Sequence, residues 1–394
     1  MGEDFLDRRL DERRQQNAMR SLRLPEGKTD FCSNDYLGIA TNGLIEAHLP
    51  PSASAPAPHP LRHGSGGSRL LAGNYPLIKE TERHIASFHE SEAALIFNSG
   101  YDANLGLMSA IPQRNDIVLY DHLSHASIRD GIRLSFARSF SFAHNDLADL
   151  QHRLESVTAQ PPAFQPASVP PSGPTSNPPA PPHQVFVVTE SLFSMDGDQA
   201  PLPEIVRLCD RFGAHLMVDE AHATGVIGRQ GEGLVQSLGL EHKCFARVHT
   251  FGKALGCHGA AVLGSASLRD CLINFARSFI YTTALPESSV AAIRAAYDLF
   301  PGMTRERQRL QEWIERFHQA PIRYERLNSH TPIQVVIVPG NDEVKSVSDQ
   351  LQAAGLDVRP ILYPTVPRGA ERLRIVLHSF NTPAEIDRLV GCLK

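Results

Sequence analysis

The middle of the chain alternates nearly continuous apolar runs with segments of helical spacing, and the pattern changes after residue 285. Continuous apolar runs separated by helices are typical of a mostly parallel sheet that is covered on both faces, as in α/β domains. Helices are predicted over 76–90 and 203–212, and Gly213 ends the second. The predicted strands are 94–98, 116–121, 139–144, 184–190, 215–220, 246–250 and 260–264.

The sequence after residue 285 predicts a second, smaller α+β domain, with two long helices followed by strands and helices in mixed order. Thr382-Pro383-Ala384-Glu385 is a capping box with proline at the first helical position, so a last helix begins there. The predicted organisation is an N-terminal helix and arm over 1–45, a large α/β domain over 46–285 and a small domain over 286–394.

A proline-rich segment interrupts the large domain at 157–183 and contains ten of the 29 prolines of the chain. It has no periodicity and too little apolar content to form a core. We interpret it as a disordered surface insertion between two elements rather than as a domain boundary.

Composition excludes several classes of protein. The 394 residues are 42% hydrophobic, and the formal net charge of -5 does not favour nucleic acid as a partner. No uninterrupted apolar stretch is long enough for a transmembrane helix, and the mixed charges at the N-terminus do not resemble a signal peptide. The six cysteines form no C-x-x-C pair, which predicts a reducing, cytoplasmic setting without a zinc or disulfide framework.

Lys253 has an unusual environment in the sequence. It lies within Thr250-Phe251-Gly252-Lys253-Ala254-Leu255-Gly256, among small and apolar residues and without a neighbouring acid. Lysines usually lie on charged surfaces because burying an ammonium group is costly. The pattern therefore indicates a turn from which Lys253 reaches inward.

Polar side chains follow the predicted strand that ends at 220. Asp219 lies at its end and His222 three residues farther on. Open parallel sheets bind ligands beyond the carboxyl ends of their strands, where a carboxylate suits a cationic ring nitrogen. The alternative for Asp219 is a helix N-cap or a salt bridge, and His222 either lines the same cleft or caps the turn.

Three other positions suit binding chemistry. Ser99-Gly100-Tyr101 opens a predicted helix, whose first backbone N–H groups can bind an anion that glycine allows to come close. His125 offers a flat imidazole to a ring, or it is a turn histidine. Arg372 and Arg374 alternate on a strand, so one can offer a fork to a carboxylate; the alternative is an exposed sheet face. An anion cradle, a stacking imidazole, an acid for a pyridinium nitrogen and a lysine for a Schiff base together describe a site for pyridoxal 5′-phosphate (PLP).

Longer motifs support this interpretation. The chain resembles the α-oxoamine synthases, a branch of the fold-type-I, aspartate-aminotransferase-like PLP enzymes, from about residue 4 to 390. The resemblance rests on Ser33-Asn34-Asp35-Tyr36-Leu37-Gly38, Leu123-Ser124-His125-Ala126-Ser127, Phe142-Ala143-His144-Asn145-Asp146, Thr189-Glu190, Phe193-Ser194-Met195-Asp196-Gly197-Asp198, Val218-Asp219-Glu220-Ala221-His222, Thr250-Phe251-Gly252-Lys253, Ile280-Tyr281-Thr282-Thr283 and Pro364-Thr365-Val366-Pro367.

The resemblance implies a role for each site residue. Lys253 is expected to form the Schiff base with PLP and to move the α proton of the substrate. Asp219 is expected to pair with the pyridine nitrogen, His222 to approach the phenolic oxygen and His125 to stack on the ring. Gly100 and Tyr101 are expected to position the cofactor, with Ser194 nearby. Thr250 is expected to contact the phosphate, and Thr282 or Thr283 to contact the phosphate of the cofactor in a partner subunit. Arg374, with Arg372 as the second choice, is expected to bind the substrate carboxylate.

The resemblance also implies a reaction and partners. The chain most resembles the branch that condenses L-alanine with a pimeloyl thioester in biotin synthesis, and family members act as homodimers with shared active sites. The acyl donor is either a coenzyme A thioester or an acyl carrier protein. Two alternatives stay open: a sister activity such as glycine C-acetyltransferase, and a non-catalytic scaffold subunit, from which a Schiff-base lysine would be absent.

Overall fold

A computed structural model describes residues 3–22, 24–25, 27–49, 61–158 and 183–394. Of the predicted proline-rich insertion, residues 159–182 lie outside the described residues, and Val157 and Thr158 belong to a helix. Within the described part of the chain, no helix combines the length and apolar character needed to cross a membrane.

The helices of the described residues are α1 (Asp4–Gln15), α2 (Pro76–Phe88), α3 (Gly100–Ala110), α4 (Ala126–Leu134), α5 (Leu147–Thr158), α6 (Leu202–Phe212), α7 (Leu234–Ser237), α8 (Ala266–Phe275), α9 (Arg277–Ile280), α10 (Glu287–Leu299), α11 (Thr304–Gln319), α12 (Asn341–Ala353) and α13 (Pro383–Cys392). The strands are β1 (Thr29–Asp30), β2 (Ala93–Phe97), β3 (Ile117–Asp121), β4 (Arg138–Phe142), β5 (Val185–Glu190), β6 (His215–Asp219), β7 (Cys244–Thr250), β8 (Ala260–Gly264), β9 (Ile333–Ile337), β10 (Leu356–Asp357), β11 (Arg359–Ile361) and β12 (Arg372–Val376).

The larger compact unit, 45–192 and 200–301, is built on a seven-stranded sheet in the order β2-β8-β7-β6-β5-β3-β4. The strands from β7 to β4 are parallel, and β8 is antiparallel to both of its neighbours. All seven strands predicted for this region are confirmed, as is the mostly parallel α/β fold. The prediction succeeds because β2, β5 and most of β6 are buried on both faces and therefore carry continuous apolar runs.

Helices α3, α4, α8 and α9 cover one face of this sheet. Leu107 and Met108 of α3 and Ile128 of α4 lie in one apolar cluster with Val188 and Met217 of the strands. The amino end of α3 directly follows β2, and that of α4 follows β3 after a short turn. The packing therefore brings the starts of two helices to the edge at which the parallel strands end.

The smaller unit comprises 1–44, 193–199 and 302–394. Its antiparallel sheet has the order β11-β12-β9, and β1 pairs with β10. Trp313, Phe317, Leu373 and Leu389 are part of its apolar core. The predicted capping box is confirmed, because Thr382 Oγ1 accepts a hydrogen bond from the amide of Glu385 at 3.3 Å and the Glu385 carboxylate accepts one from the amide of Thr382 at 2.7 Å.

The units differ from the predicted domains in three places. Residues 1–44, predicted as a separate N-terminal helix and arm, are part of the smaller unit. Helix α10, predicted to open the small domain, belongs to the larger unit because it packs against α2. Residues 193–199, predicted within the large domain, belong to the smaller unit. There the carbonyl of Gly197 accepts hydrogen bonds from the hydroxyls of Ser329 and Thr331, each at 2.8 Å. None of these differences was visible in the local sequence pattern, because each depends on contacts with distant segments.

Candidate active site

The parallel strands β5, β6 and β7 end side by side with polar residues. Glu190 is paired with Asp219, and Asp219 with Val248, so the ends of the three strands are in register. The carboxyl edge of a parallel sheet is where such folds bind ligands. Thr250 and Lys253 follow at the end of β7, and the structure therefore brings Asp219, His222, Thr250 and Lys253 into one region of the larger unit.

Asp219 has two donors fixed on its carboxylate. Its side chain is buried, with Oδ1 accepting a hydrogen bond from the amide of Ala221 at 2.9 Å and Oδ2 accepting one from Asn104 Nδ2 at 2.7 Å. Asn104 also donates to Ser127 Oγ at 3.0 Å, which links α3 to α4. Asp219 thus caps the turn after β6 through the amide of Ala221, which is close to the helix N-cap alternative, and Asn104 is a neighbour of the candidate site that the sequence analysis did not identify.

Lys253 and His222 are in direct contact. Lys253 Nζ lies 2.7 Å from His222 Nε2, and His222 is buried. At this distance one of the two nitrogens donates a hydrogen and the other accepts it. The amine of Lys253 and Nε2 of His222 are therefore not both fully protonated. The pair is suited to holding a proton or passing it on.

The amino end of α3 forms a cradle beside Thr250. Ser99 is the N-cap and its Oγ accepts the amide hydrogen of Asp102 at 3.0 Å, while the first N–H groups of a helix have no acceptor within it. A Cβ added to Gly100 would lie 3.2 Å from Thr250 Oγ1. Tyr101 is largely exposed, and its hydroxyl donates to Asp130 at 2.6 Å. The backbone at Gly100 and the hydroxyl of Thr250 thus line a space that suits an anion.

His125 is anchored from both sides. Its amide donates to Glu190 Oε1 at 2.5 Å, and its Nδ1 accepts the amide hydrogen of Ser127 at 3.2 Å as the N-cap of α4. Burial lowers the pKa of His125, and the nearby Lys253 ammonium acts in the same direction against the opposing charge of Asp219. The imidazole is therefore held in its neutral form, which is suited to stacking on a ring. Burial raises the pKa of Glu190 to about 8.

Thr282 and Thr283 follow α9 and are held by Asn98. The Asn98 amide donates to Thr282 Oγ1 at 2.9 Å and to the carbonyl of Thr283 at 2.8 Å. The two threonines therefore have a fixed position in the larger unit.

Ser194, Arg372 and Arg374 belong to the smaller unit, where the two arginines have different partners. Arg372 is buried, forms an ion pair with Asp196 and donates to the carbonyl of Ala370 at 2.9 Å. Arg374 donates to the carbonyl of Ser194 at 2.6 Å and to Asn34 Oδ1 at 2.9 Å. The alternative of an exposed sheet face is wrong for Arg372. Because the guanidinium group of Arg372 is already paired with the carboxylate of Asp196, Arg374 is the better candidate for binding a substrate carboxylate.

The side chains of the larger unit fit PLP. A buried carboxylate with fixed donors suits the ring nitrogen, a neutral imidazole suits the ring face, an amine suits the aldehyde, and the cradle at Gly100 and Thr250 suits the phosphate. The fold and this donor set together define a PLP-dependent enzyme of fold type I.

Comparison with known proteins agrees with this class. The model of the family described as aminotransferase class I and II matches residues 26–393 of this chain. The 8-amino-7-oxononanoate synthase of Emericella nidulans is 42% identical over 382 residues, which cover 93% of this chain and 89% of that protein. The chain belongs to the aminotransferase class I and II family, within which it is a PLP-dependent acyltransferase of the α-oxoamine synthase group.

Solved structures give the same result. Serine palmitoyltransferase from S. paucimobilis, with a bound PLP–myriocin aldimine, has a TM-score of 0.82 at 25% identity and covers 99% of this chain and 96% of its own. The 8-amino-7-oxononanoate synthase of Francisella tularensis has a TM-score of 0.69 at 27% identity, with coverages of 93% and 97%.

Proposed function

We propose that this chain condenses L-alanine with a pimeloyl thioester and forms 8-amino-7-oxononanoate, as a step of biotin synthesis. Alanine loses its α proton, its Cα forms a bond to the acyl carbon as the bond to the thiol sulfur breaks, the alanine carboxylate departs as carbon dioxide, and Cα takes up a proton in its place. The observation that carries the proposal is the 42% identity to a relative of that name over 93% of the chain.

When bound, PLP supplies an electron sink for the pair of electrons left on Cα after proton loss. Lys253 would hold the cofactor through Nζ and would act as the base for the α proton. A base must be neutral to accept a proton, and His222 Nε2, at 2.7 Å, is the acceptor or donor that adjusts the protons on Nζ. Asp219 would keep the ring nitrogen protonated, because an adjacent carboxylate favours the cationic form of a nitrogen.

The other site residues would hold and orient the cofactor and the amino acid. His125 would cover the ring, with Gly100, Tyr101 and Thr250 placing the phosphate side and Ser194 close to the cofactor. Arg374 would bind the alanine carboxylate through its planar fork. We further propose a homodimer in which Thr282 or Thr283 contacts the cofactor phosphate of the partner subunit. The cytoplasmic setting is proposed because none of the six cysteines forms a disulfide.

A second candidate is a sister reaction with a different amino acid and a longer acyl chain. It is favoured by the higher TM-score to serine palmitoyltransferase, 0.82 against 0.69 for the synthase from Francisella tularensis. Residues such as Lys253, Asp219 and His125 serve the chemistry that the two reactions share, so they do not choose between the substrates.

A substrate panel tests the proposal. The PLP-loaded protein is mixed with alanine, glycine or serine and with pimeloyl, acetyl or palmitoyl coenzyme A or pimeloyl acyl carrier protein, and thiol release is followed, with Lys253→Ala as the blank. We expect release with alanine and a pimeloyl thioester. Strong release with glycine and acetyl coenzyme A, or with serine and palmitoyl coenzyme A, and none with alanine and either pimeloyl donor would overturn it.

A further inference from the structure

The segment between β6 and α7 carries His222 and is folded back on itself. The amide of Gly225 donates to the carbonyl of Gly231 at 2.7 Å, and that of Gly233 donates to the carbonyl of Ile227 at 2.9 Å. These bonds close the segment internally. The attachment of its far end to the sheet depends on another residue, Glu220.

Glu220 is fully buried and joins both ends of this segment. Its amide donates to the carbonyl of Val248 at 2.8 Å, which extends the pairing of β6 with β7. Its carboxylate accepts the amide hydrogen of Leu234 at 2.7 Å and that of Val235 at 3.0 Å. These N–H groups open α7 and have no acceptor within the helix, so the carboxylate connects the end of β6 to the start of α7.

Gly233 leaves room for this contact. It has φ of +103°, and a Cβ added to it would lie 1.9 Å from Glu220 Oε2. The carboxylate therefore lies directly against the backbone of the segment, and a larger residue at 233 would displace it.

The main chain at Glu220 is fixed by a second contact. Thr224 Oγ1 donates to the carbonyl of Glu220 at 2.7 Å and lies 2.9 Å from His249 Nδ1. Because the hydroxyl has one hydrogen, His249 donates Nδ1–H to it. Burial lowers the pKa of His249 well below its usual value, so the imidazole stays neutral. His222 lies between the two anchored residues, Glu220 and Thr224.

We propose that Glu220 is a positioning residue, whose carboxylate clamps α7 and so fixes the segment that sets His222 against Lys253. The assignment of His222 to the reaction rests on the proposed function, whereas the clamp is a property of the chain without cofactor. The clamp uses both carboxyl oxygens as acceptors, one for the amide of Leu234 and one for that of Val235.

The protonation state of the Glu220 carboxyl group depends on the groups around it. The groups that face Glu220 are Ser191, which follows β5, and Cys244, Arg247 and His249 of β7. Burial raises the pKa of Glu220 to about 7, opposed by the amide of Val235 and by the guanidinium of Arg247. Between pH 4.5 and about 7 the folded segment therefore holds a proton on Glu220 that an opened segment, with the ordinary pKa of a glutamate, has released, so opening becomes easier as the pH rises through this range.

Amide hydrogen exchange of the protein without cofactor tests the clamp. We expect protection of 225–237 in the wild-type protein to fall as the pH rises from about 5 to 7, after correction for intrinsic exchange. Glu220→Gln should exchange about 10- to 100-fold faster at pH 7.5 and lose the pH dependence, because an amide offers one acceptor oxygen and one opposing donor. If this variant does not fold, Glu220→Asp and the wild-type pH series provide the same readout.

Glu232→Gln is the matched control. Glu232 lies in the same segment and also accepts two backbone amides, but these are those of Arg229 at 3.1 Å and Gln230 at 2.7 Å rather than amides of α7. It should leave the protection of 234–237 unchanged. Equal effects of the two variants, or a wild-type protection that does not vary with pH, would overturn the clamp.

Measurements of turnover then test whether the clamp acts on the reaction through the position of His222. With the substrates that the panel identifies, Glu220→Gln should lower kcat about tenfold at unchanged KM and shift the acidic limb of the pH profile, whereas Glu232→Gln should do neither. An unchanged kcat and pH profile in Glu220→Gln would overturn the positioning role. A failure of the proposed substrates would leave the exchange result standing, so the two failures are distinguishable.

Discussion

Asn104 Nδ2 donates a hydrogen bond of 2.7 Å to Oδ2 of Asp219, and both side chains are buried. Asn104 comes from α3 and Asp219 from the end of β6, which are 115 residues apart in the chain. The second carboxylate oxygen of Asp219 is occupied by the amide of Ala221. Asn104 therefore fixes the plane of the carboxylate that is proposed to face the cofactor ring.

Asn104→Ala should weaken PLP binding. The substitution removes a hydrogen bond to a charged group, of about 1.5–3 kcal/mol, which corresponds to about a 10- to 100-fold increase in the Kd for PLP. The measurement is a titration of the cofactor-free protein followed by the absorbance of the bound cofactor. Asn274→Ala, on the exposed side of α8, is the control and should bind PLP as the wild-type protein does. Equal Kd values for the two variants would contradict the role of Asn104.

Gly100→Ala tests the cradle at the start of α3. The new Cβ would lie 3.2 Å from Thr250 Oγ1, in the space proposed for the phosphate, so we expect weaker PLP binding with little change in the Tm of the cofactor-free protein. Gly391→Ala is the control, since its Cβ meets no atom within 4 Å and helical alanine is favoured over glycine by about 0.5–1 kcal/mol. That variant should gain stability and keep its PLP affinity. Unchanged affinity in Gly100→Ala would place the phosphate elsewhere.

Much of this arrangement is visible in the sequence, and the part that is not has a physical reason. Lys253 and Asp219 stand out because each is a polar residue next to an apolar run or a glycine, and His125 stands out because it follows a predicted strand. Asn104 does not, because a polar residue inside a helix usually faces solvent, and only the packing of α3 on the sheet turns it inward.

The boundaries of the two units show the same limit. The strands of the large sheet follow from their own residues, whereas the membership of α10 depends on α2, far away in the chain. Similarly, Glu190 and Glu220 are acids at the ends of strands, and nothing nearby in the sequence indicates that the amides of His125 and Leu234 bind them. Long-range pairing therefore decided what the local pattern left open.

Glu190 should make stability depend on pH. Its pKa is about 8 in the folded protein, raised by burial from an ordinary value of 4.5. Between these two values the folded state holds a proton that the unfolded state has released, so stability falls as the pH rises, by up to about 1.4 kcal/mol per pH unit for one proton. Glu190→Gln should flatten the plot of Tm against pH between 5 and 8. Parallel plots for the wild-type protein and the variant would show that Glu190 is ionised throughout this range.

Arg374→Lys and Arg372→Lys should separate substrate binding from folding. Arg374 donates to a carbonyl and an amide oxygen and would still meet an incoming carboxylate, whereas Arg372 is already paired with the Asp196 carboxylate. Lysine keeps the charge but loses the planar fork. Arg374→Lys should therefore raise the KM for the amino acid about 10- to 100-fold at nearly unchanged Tm, and Arg372→Lys should lower the Tm at nearly unchanged KM. The reverse pattern would assign the substrate carboxylate to Arg372, and it would require Asp196 to give up its partner whenever the amino acid binds.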